Sequence, residues 1–388
     1  MDAVMDYAFS EVQQHWYEAA TRFAREELID AEAASREERG EFWREGYKRC
    51  ARFGILGLPV PTEYGGQGQD LATTVAAVEG LGYGCPDTGL VFGTGASIWT
   101  VTMPILAHGT DAQKRRYLPG LCESSILGAN AASEPEAGSD IFSMEMRAVR
   151  RGDGCWTLNG RKTWITSGAI ADLLVCFAST DASKGVLGIT AFLVERGTPG
   201  FHVKRRIENL GLRTAPMAEL AFEDCVVQAD SILGREGRGS TVFNAALEWE
   251  RGAILAGIVG TMRRQLDRCI ERVRSRKQFG QSIGKFQSVS NRIVDMTVRL
   301  ETSRYMVYRY AWSKARGKDA ALWASLAKLH VSESFVQNSL DAVRLFGASG
   351  YVSGEDQERD LRDSVGGLIF SGTNDIQRNL IAQYLRLG

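Results

Sequence analysis

Histidine is scarce: only His15, His108, His202 and His330 occur in 388 residues, far apart and without an H-E-x-x-H pair or a serine–histidine–aspartate pattern nearby. Metal-assisted hydrolysis and triad chemistry lose their usual carriers. The seven cysteines stand singly, with no C-x-x-C pair, so neither a zinc site nor a disulfide framework is expected and a reducing cytoplasm fits best. Neither sign of charge prevails: 46 basic and 47 acidic side chains leave a net charge of -1. Bulk electrostatics therefore give no reason to expect nucleic acid or a membrane surface. No window approaches the roughly 20 apolar residues of a spanning helix. The N-terminal MDAVMDYAFSEVQQHW resembles neither a secretory signal nor an arginine-rich transit peptide. Small molecules and proteins remain as partners.

What is present falls into three regions. Residues 1–125 carry apolar residues three and four apart, as in Val12, Trp16, Ala19 and Phe23, and predict helices near 8–32, 39–54, 70–83, 91–107 and 111–118. Residues 126–235 change period. CWTLNGRKTWITSG reads as a hairpin turning at Asn159-Gly160, and ADLLVCFAST, GITAFLVERG and AELAFEDCVV read as further strands of an antiparallel β domain. Residues 236–388 return to the helical period in three long runs and a short tail, which predicts a four-helix bundle. The class is α+β, and the lack of helix–strand alternation argues against a Rossmann domain.

Several stretches could carry chemistry. In ASEPEAGSDIFS (132–143), Gly138 lets backbone approach a ligand and Ser133 and Ser139 add hydroxyls, a composition suited to phosphate or a polar ring edge; a plain surface loop is the alternative. In KTWITSG, strand alternation puts Trp164 and Thr166 on one face, as a ligand platform or as core. In LEWERGAILAG, Glu250 shares a helical stripe with Ala246, Ala253 and Gly257, which leaves room for a ligand beside a carboxylate; a surface ion pair is the alternative. Arg276, with Gln278 nearby, precedes Gly280 at a helix break and could hold phosphate oxygens. Finally, in GGLIFSGTNDIQRNLIAQYL (366–385) the Ser371–Asp375 turn can cap a helix or present its N-terminus to an electron-rich group.

Together these stretches resemble the acyl-CoA dehydrogenase superfamily over nearly the whole chain: ASEPEAGSD, WITSG, R-x-x-F-G at 276–280 with Gln287, RLFGASGY and SGTNDIQR follow the family's order. The resemblance implies FAD as cofactor. It implies that Ala132, Ser133 and their backbone meet the pyrimidine edge and that Trp164 and Thr166 flank N5. Gly138 and Ser139 would lie near the pyrophosphate and the acyl group. Arg276, Phe279, Gln287, Arg344 and Gly347 would clasp the ADP portion of FAD bound mainly to a partner subunit of a homotetramer. Thr373 and Asp375 would face the flavin, although the family more often has Gln or Glu at 375.

Most members place a glutamate directly before this Gly-Thr, as the base that removes the substrate α-proton; here Ser371 stands there. A serine without an adjacent base cannot do this near neutral pH. The resemblance to the branch with its base in an E-R dipeptide of the long helix assigns the role to Glu250, with Trp249, Arg251 and Ser139 near the substrate. In detail the chain is most similar to dehydrogenases of prolyl groups tethered to peptidyl carrier proteins. A carrier protein bearing a phosphopantetheine thioester is thus the expected partner. An acyl-CoA or acyl-ACP dehydrogenase is the second reading, and an oxygen-using or non-catalytic flavoprotein the third.

Overall fold

Helices begin where a side-chain oxygen can accept from an orphan backbone N–H. In the computed structural model, which describes residues 8–318 and 320–387, Ser10, Asp70, Asp87 and Thr110 cap four of the first seven helices this way. Residues 1–7 of the predicted N-terminal domain, Asp319 and Gly388 lie outside the described residues. The N-terminal helices are α1 (Glu11–Glu27), α2 (Ala33–Arg39), α3 (Arg44–Phe53), α4 (Leu71–Gly84), α5 (Thr88–Ser97), α6 (Met103–His108) and α7 (Asp111–Glu123). A π-helical segment, Ile98–Thr102, joins α5 to α6. The resulting run Thr88–His108 is long and apolar enough to cross a membrane, contrary to the expectation that no such window exists, and most of it is buried inside the protein as core.

The middle sheet comprises β1 (Gly128–Ala131), β2 (Arg147–Arg150), β3 (Trp156–Thr166), β4 (Leu173–Ser179), β5 (Ile189–Glu195), β6 (Phe201–Ile207), β7 (Met217–Val227) and β8 (Ile232–Leu233). Its order is β6-β7-β3-β2-β4-β5-β8, with β1 added beside β4. It is antiparallel except that β1, and a single pair at the edge of β2, run parallel to β4. The expected hairpin at Asn159-Gly160 is not there: β3 runs straight through, with a register shift against β7 between Leu158 and Gly160. A Cβ on Gly160 would stand 2.8 Å from Met146, so this glycine serves close approach rather than chain reversal. The reversal is at 151–154, where Arg151 and Cys155 are joined by a backbone hydrogen bond and Gly154 takes φ +85°.

The C-terminal helices are α8 (Gly239–Ala253), α9 (Leu255–Ser275), α10 (Gln287–Ala315), α11 (Ala321–Phe346), α12 (Asp356–Gly366) and α13 (Asn374–Tyr384). Between α9 and α10, β9 (Lys277–Gln278) and β10 (Gln281–Ser282) form a small hairpin. The first predicted long helix is thus two, meeting at Ile254, and α12 is additional to the expected bundle of four. Helix α11 lies at the centre, packed on α8, α9, α10, α12 and α13.

Glycine sets the contact between the N-terminal helices and the bundle. A Cβ on Gly82 would fall 2.1 Å from the Gly257 carbonyl oxygen, and one on Gly257 2.6 Å from Val91. The small residue at 257 therefore admits α4 and α5 and leaves no ligand space there, which corrects the reading of that end of the stripe.

Candidate active site

Successive residues of α8 point about 100° apart around the helix, so Glu248, Trp249, Glu250 and Arg251 meet four different surroundings. Glu248 accepts from Lys314 Nζ at 2.8 Å. Trp249 stacks on buried Trp99, with ring centroids 6.0 Å apart and planes 6° apart, and carries Lys314 Nζ 5.0 Å from its ring centre. Arg251 donates through Nε to the Ser371 carbonyl at 3.0 Å. That bond makes Arg251, expected beside the substrate, a support for the Ser371 turn as well.

Glu250 keeps some accessible surface, yet protein surrounds its carboxyl closely enough that desolvation is the largest influence on it. Desolvation raises its pKa above the ordinary carboxylate range, while the Ser371 hydroxyl, Arg251 and Lys328 oppose the rise. A partly buried carboxylate with raised basicity is suited to general-base work. It is not the fully solvated surface pair that was the alternative reading.

Ser371 faces this carboxylate from the turn before α13. Its backbone is left-handed, φ +58°, a conformation rare for residues with a Cβ. The turn is tied at four points: Arg251 Nε and Gln377 Nε2 donate to the Ser371 carbonyl, Thr373 Oγ1 accepts from Ile376 N–H, and Asn374 Oδ1 accepts from Lys328 Nζ at 2.6 Å. The predicted helix cap is thus present at Thr373. Asp375 is exposed and pairs with Arg378 at 3.2 Å.

Lys328 was missed. It is 0% exposed on α11 and shares a buried face with Ala324, Val331 and Phe335, a spacing that could have marked it in the sequence. Burial first, then the repulsion of Arg251, lowers its pKa to about 7, with Glu250 and Glu333 pulling the other way and Arg378 adding to the fall. From about pH 7 to its unfolded value near 10.4, the unfolded chain holds a proton that the native chain does not. Stability from this group therefore rises with pH across that window. We expect the Tm of the wild type to rise relative to Lys328→Met between pH 7 and pH 9; parallel Tm–pH curves would contradict this.

The loop at 132–143 and β3 come together as expected. Thr163 N–H donates to the Ser133 carbonyl at 2.9 Å, and Lys162 Nζ donates to the Ala132 carbonyl at 2.9 Å and to Glu134 at 2.8 Å. This Lys162–Glu134 pair, 28 residues apart in sequence, had no local signal. Trp164 is 51% exposed with φ +57° at a second β3 bulge, while Ile165 beside it is buried and Thr166 half-buried. Gly138 and Ser139 are exposed, and no atom lies within 4 Å of where a Gly138 side chain would begin. An open backbone stretch on this loop, and an uncovered indole on the strand to which the loop is tied, fit a flat aromatic cofactor with a phosphate tail.

The other predicted contacts lie elsewhere. Arg276, Phe279 and Gln287 are exposed beyond the far end of α9, whose 21 residues span about 30 Å. Phe279 tips the β9–β10 hairpin, 93% exposed, with positive φ at both Phe279 and Gly280. Exposed Arg344 and Gly347 close α11 in the same quarter, where Arg272 lies over Phe346 and reaches Ser349. One chain thus brings Glu250, Ser371 and their supports together but leaves the Arg276 group apart.

The sequence matches three consecutive domains of one family: Acyl-CoA dehydrogenase N-terminal domain over residues 10–125, middle domain over 129–225 and C-terminal domain over 237–385. The chain belongs to the acyl-CoA dehydrogenase family, a family of FAD-dependent oxidoreductases. Among its relatives is an L-prolyl-[peptidyl-carrier protein] dehydrogenase of Pseudomonas fluorescens, 39% identical over 99% of this chain and 100% of that protein. Its fold superposes on the crystal structure of the prolyl acyl carrier protein oxidase AnaB with a TM-score of 0.95, at 44% identity over 97% of this chain and 100% of the other. PigA, solved with FAD and proline, gives a TM-score of 0.95 at 38% identity over 99% and 100% of the two chains.

Proposed function

We propose that the protein oxidises an aminoacyl group, L-proline in the first instance, held as a phosphopantetheine thioester on a peptidyl carrier protein, and that the product is a pyrrolyl thioester. The observation that carries this reading is a juxtaposition: the side chain of Ser371, a neutral residue, lies beside the partly buried carboxylate of Glu250 on α8, which supports Glu250 as the base. Full-length similarity to prolyl-carrier enzymes supports the choice of acyl group.

Glu250 accepts the α-proton, and its partial burial keeps it basic. Arg251 and Lys328 hold the turn that faces it and limit the rise in its pKa. The pyrrolyl product has four hydrogens fewer than the prolyl group, so two successive two-electron oxidations would be needed, with FAD, when bound, as the hydride acceptor in each and reoxidised by an external acceptor between them. Ala132, Ser133, Trp164, Thr166 and Thr373 would hold the ring, Gly138 and Ser139 the phosphate side, with Ser139 and Trp249 toward the acyl arm. Arg276, Phe279, Gln287, Arg344 and Gly347 would complete the site of a second copy, because the length of α9 keeps them from the Glu250 region of their own chain. A homotetramer in a reducing cytoplasm accords with that exposed hairpin and with the seven unpaired cysteines.

Incubating prolyl-loaded carrier protein with the purified flavoprotein in air and weighing the carrier tests the reading: four hydrogens should be lost, two of them at a pyrroline stage, and without oxygen the flavin should bleach. An unchanged prolyl carrier together with ready turnover of a free acyl-CoA would assign the chain to acyl-CoA oxidation instead.

A further inference from the structure

Ser371 Oγ is buried, with the residue 8% exposed, and has no hydrogen-bond partner of normal geometry among the described residues. It lies near the Glu250 carboxylate, close enough to favour its charged form, without bonding to it properly. An orphaned buried hydroxyl costs about 1–3 kcal/mol, and such groups are rare enough in native proteins to require an explanation. The backbone beneath it is held in place. The Ser371 carbonyl takes two donors, Gln377 Nε2 also reaches the Gly372 carbonyl at 3.0 Å, and Asn374 is anchored on buried Lys328 and on Ser332. The left-handed φ is a further cost for a residue with a side chain. The hydroxyl is therefore kept at the face of the base, beside its carboxylate, without a partner of normal geometry among the described residues.

We propose that Ser371 determines specificity for aminoacyl over simple acyl thioesters, its hydroxyl forming a hydrogen bond with the nitrogen borne on the substrate α-carbon. The inference rests on the proposed function and deepens it. A carboxylate placed to take the α-proton must approach the α-carbon, and the amine nitrogen is bonded to that same carbon. A hydroxyl beside the carboxylate is within reach of this atom. Serine can donate and accept, so it serves the amine in either protonation state. A carbon isostere would leave the hydroxyl buried and unpaired, which is how polar sites reject analogues lacking the matching group.

The test compares carrier protein loaded with L-proline and with cyclopentanecarboxylate, the ring without its nitrogen. Rates of anaerobic flavin reduction are measured for the wild type, Ser371→Ala and Ser371→Gly, the glycine variant being free of the positive-φ strain. Both variants should lower the prolyl-to-cyclopentanecarbonyl rate ratio roughly tenfold, the scale of one buried hydrogen bond. The Kd of the oxidised protein for an unreactive prolyl amide of pantetheine should rise by a similar factor. A ratio and a Kd that stay at wild-type values would overturn the inference, including the case in which both substrates slow equally because serine acts through Glu250. Failure of the wild type itself to oxidise prolyl carrier would sink the proposed function and this inference with it, whereas an unchanged ratio in the variants sinks the inference alone.

Discussion

Glu250→Gln is expected to retain bound FAD and to lose at least roughly 100-fold in the rate of substrate-dependent flavin reduction, the lower end of what a general base contributes. The amide has the size of the carboxyl but cannot take a proton. Its neighbours Arg251 and Lys328 are anchored on the Ser371 carbonyl and on Asn374, so the turn they hold does not depend on it. The pH profile provides a second check. Burial holds the Glu250 carboxyl above its ordinary range, and only the ionised form accepts the α-proton, so the wild-type rate climbs as pH rises through that pKa. The variant should lack this limb. A Glu250→Gln protein that reduces at the wild-type rate would return the search for the base to the beginning.

Lys162→Met should be the most damaging substitution away from that carboxylate. Lys162 is 0% exposed and Glu134 nearly so, and together they tie the 132–146 segment: Lys162 binds the Ala132 carbonyl and Glu134 Oε1, while Glu134 accepts from the backbone N–H groups of Glu145 and Met146. Removing the cation leaves a buried carboxylate without its counter-charge, at a cost of about 3–5 kcal/mol. The segment so loosened carries Ser133, Gly138 and Ser139. We therefore expect a lowered Tm and loss of flavin on gel filtration together, with partial recovery in the double variant Glu134→Gln, Lys162→Met, where no unpaired charge remains. A single variant with wild-type Tm and full flavin would show that the pair does not fix this loop.

Periodicity made the helices legible, because an apolar stripe at helical spacing reports burial directly; α1, α4, α10 and α11 lie close to where it put them. Asn159-Gly160 misled because the same dipeptide serves a tight turn and a bulge, and what separated them was the distant approach of Met146. Pairings across the fold were the least visible. Nothing near Lys162 names Glu134, and nothing near Lys328 names Asn374, although both lysines sit where a charge must find a partner. Ser371 was conspicuous only against the family pattern. That its hydroxyl would be left without a partner depended on backbone bonds no sequence displays.

The bond from Arg251 to residue 371 goes to a main-chain oxygen, which every amino acid possesses. The scaffold therefore grips that position through its backbone, for any side chain that the left-handed φ tolerates, and the neighbouring ties at Thr373 and Asn374 do not involve that side chain. Position 371 behaves as an interchangeable socket. Selection can exchange the group presented there, acidic, hydroxylic or absent, without rebuilding the walls, and chemistry can migrate from one helix to another inside an architecture that stays the same.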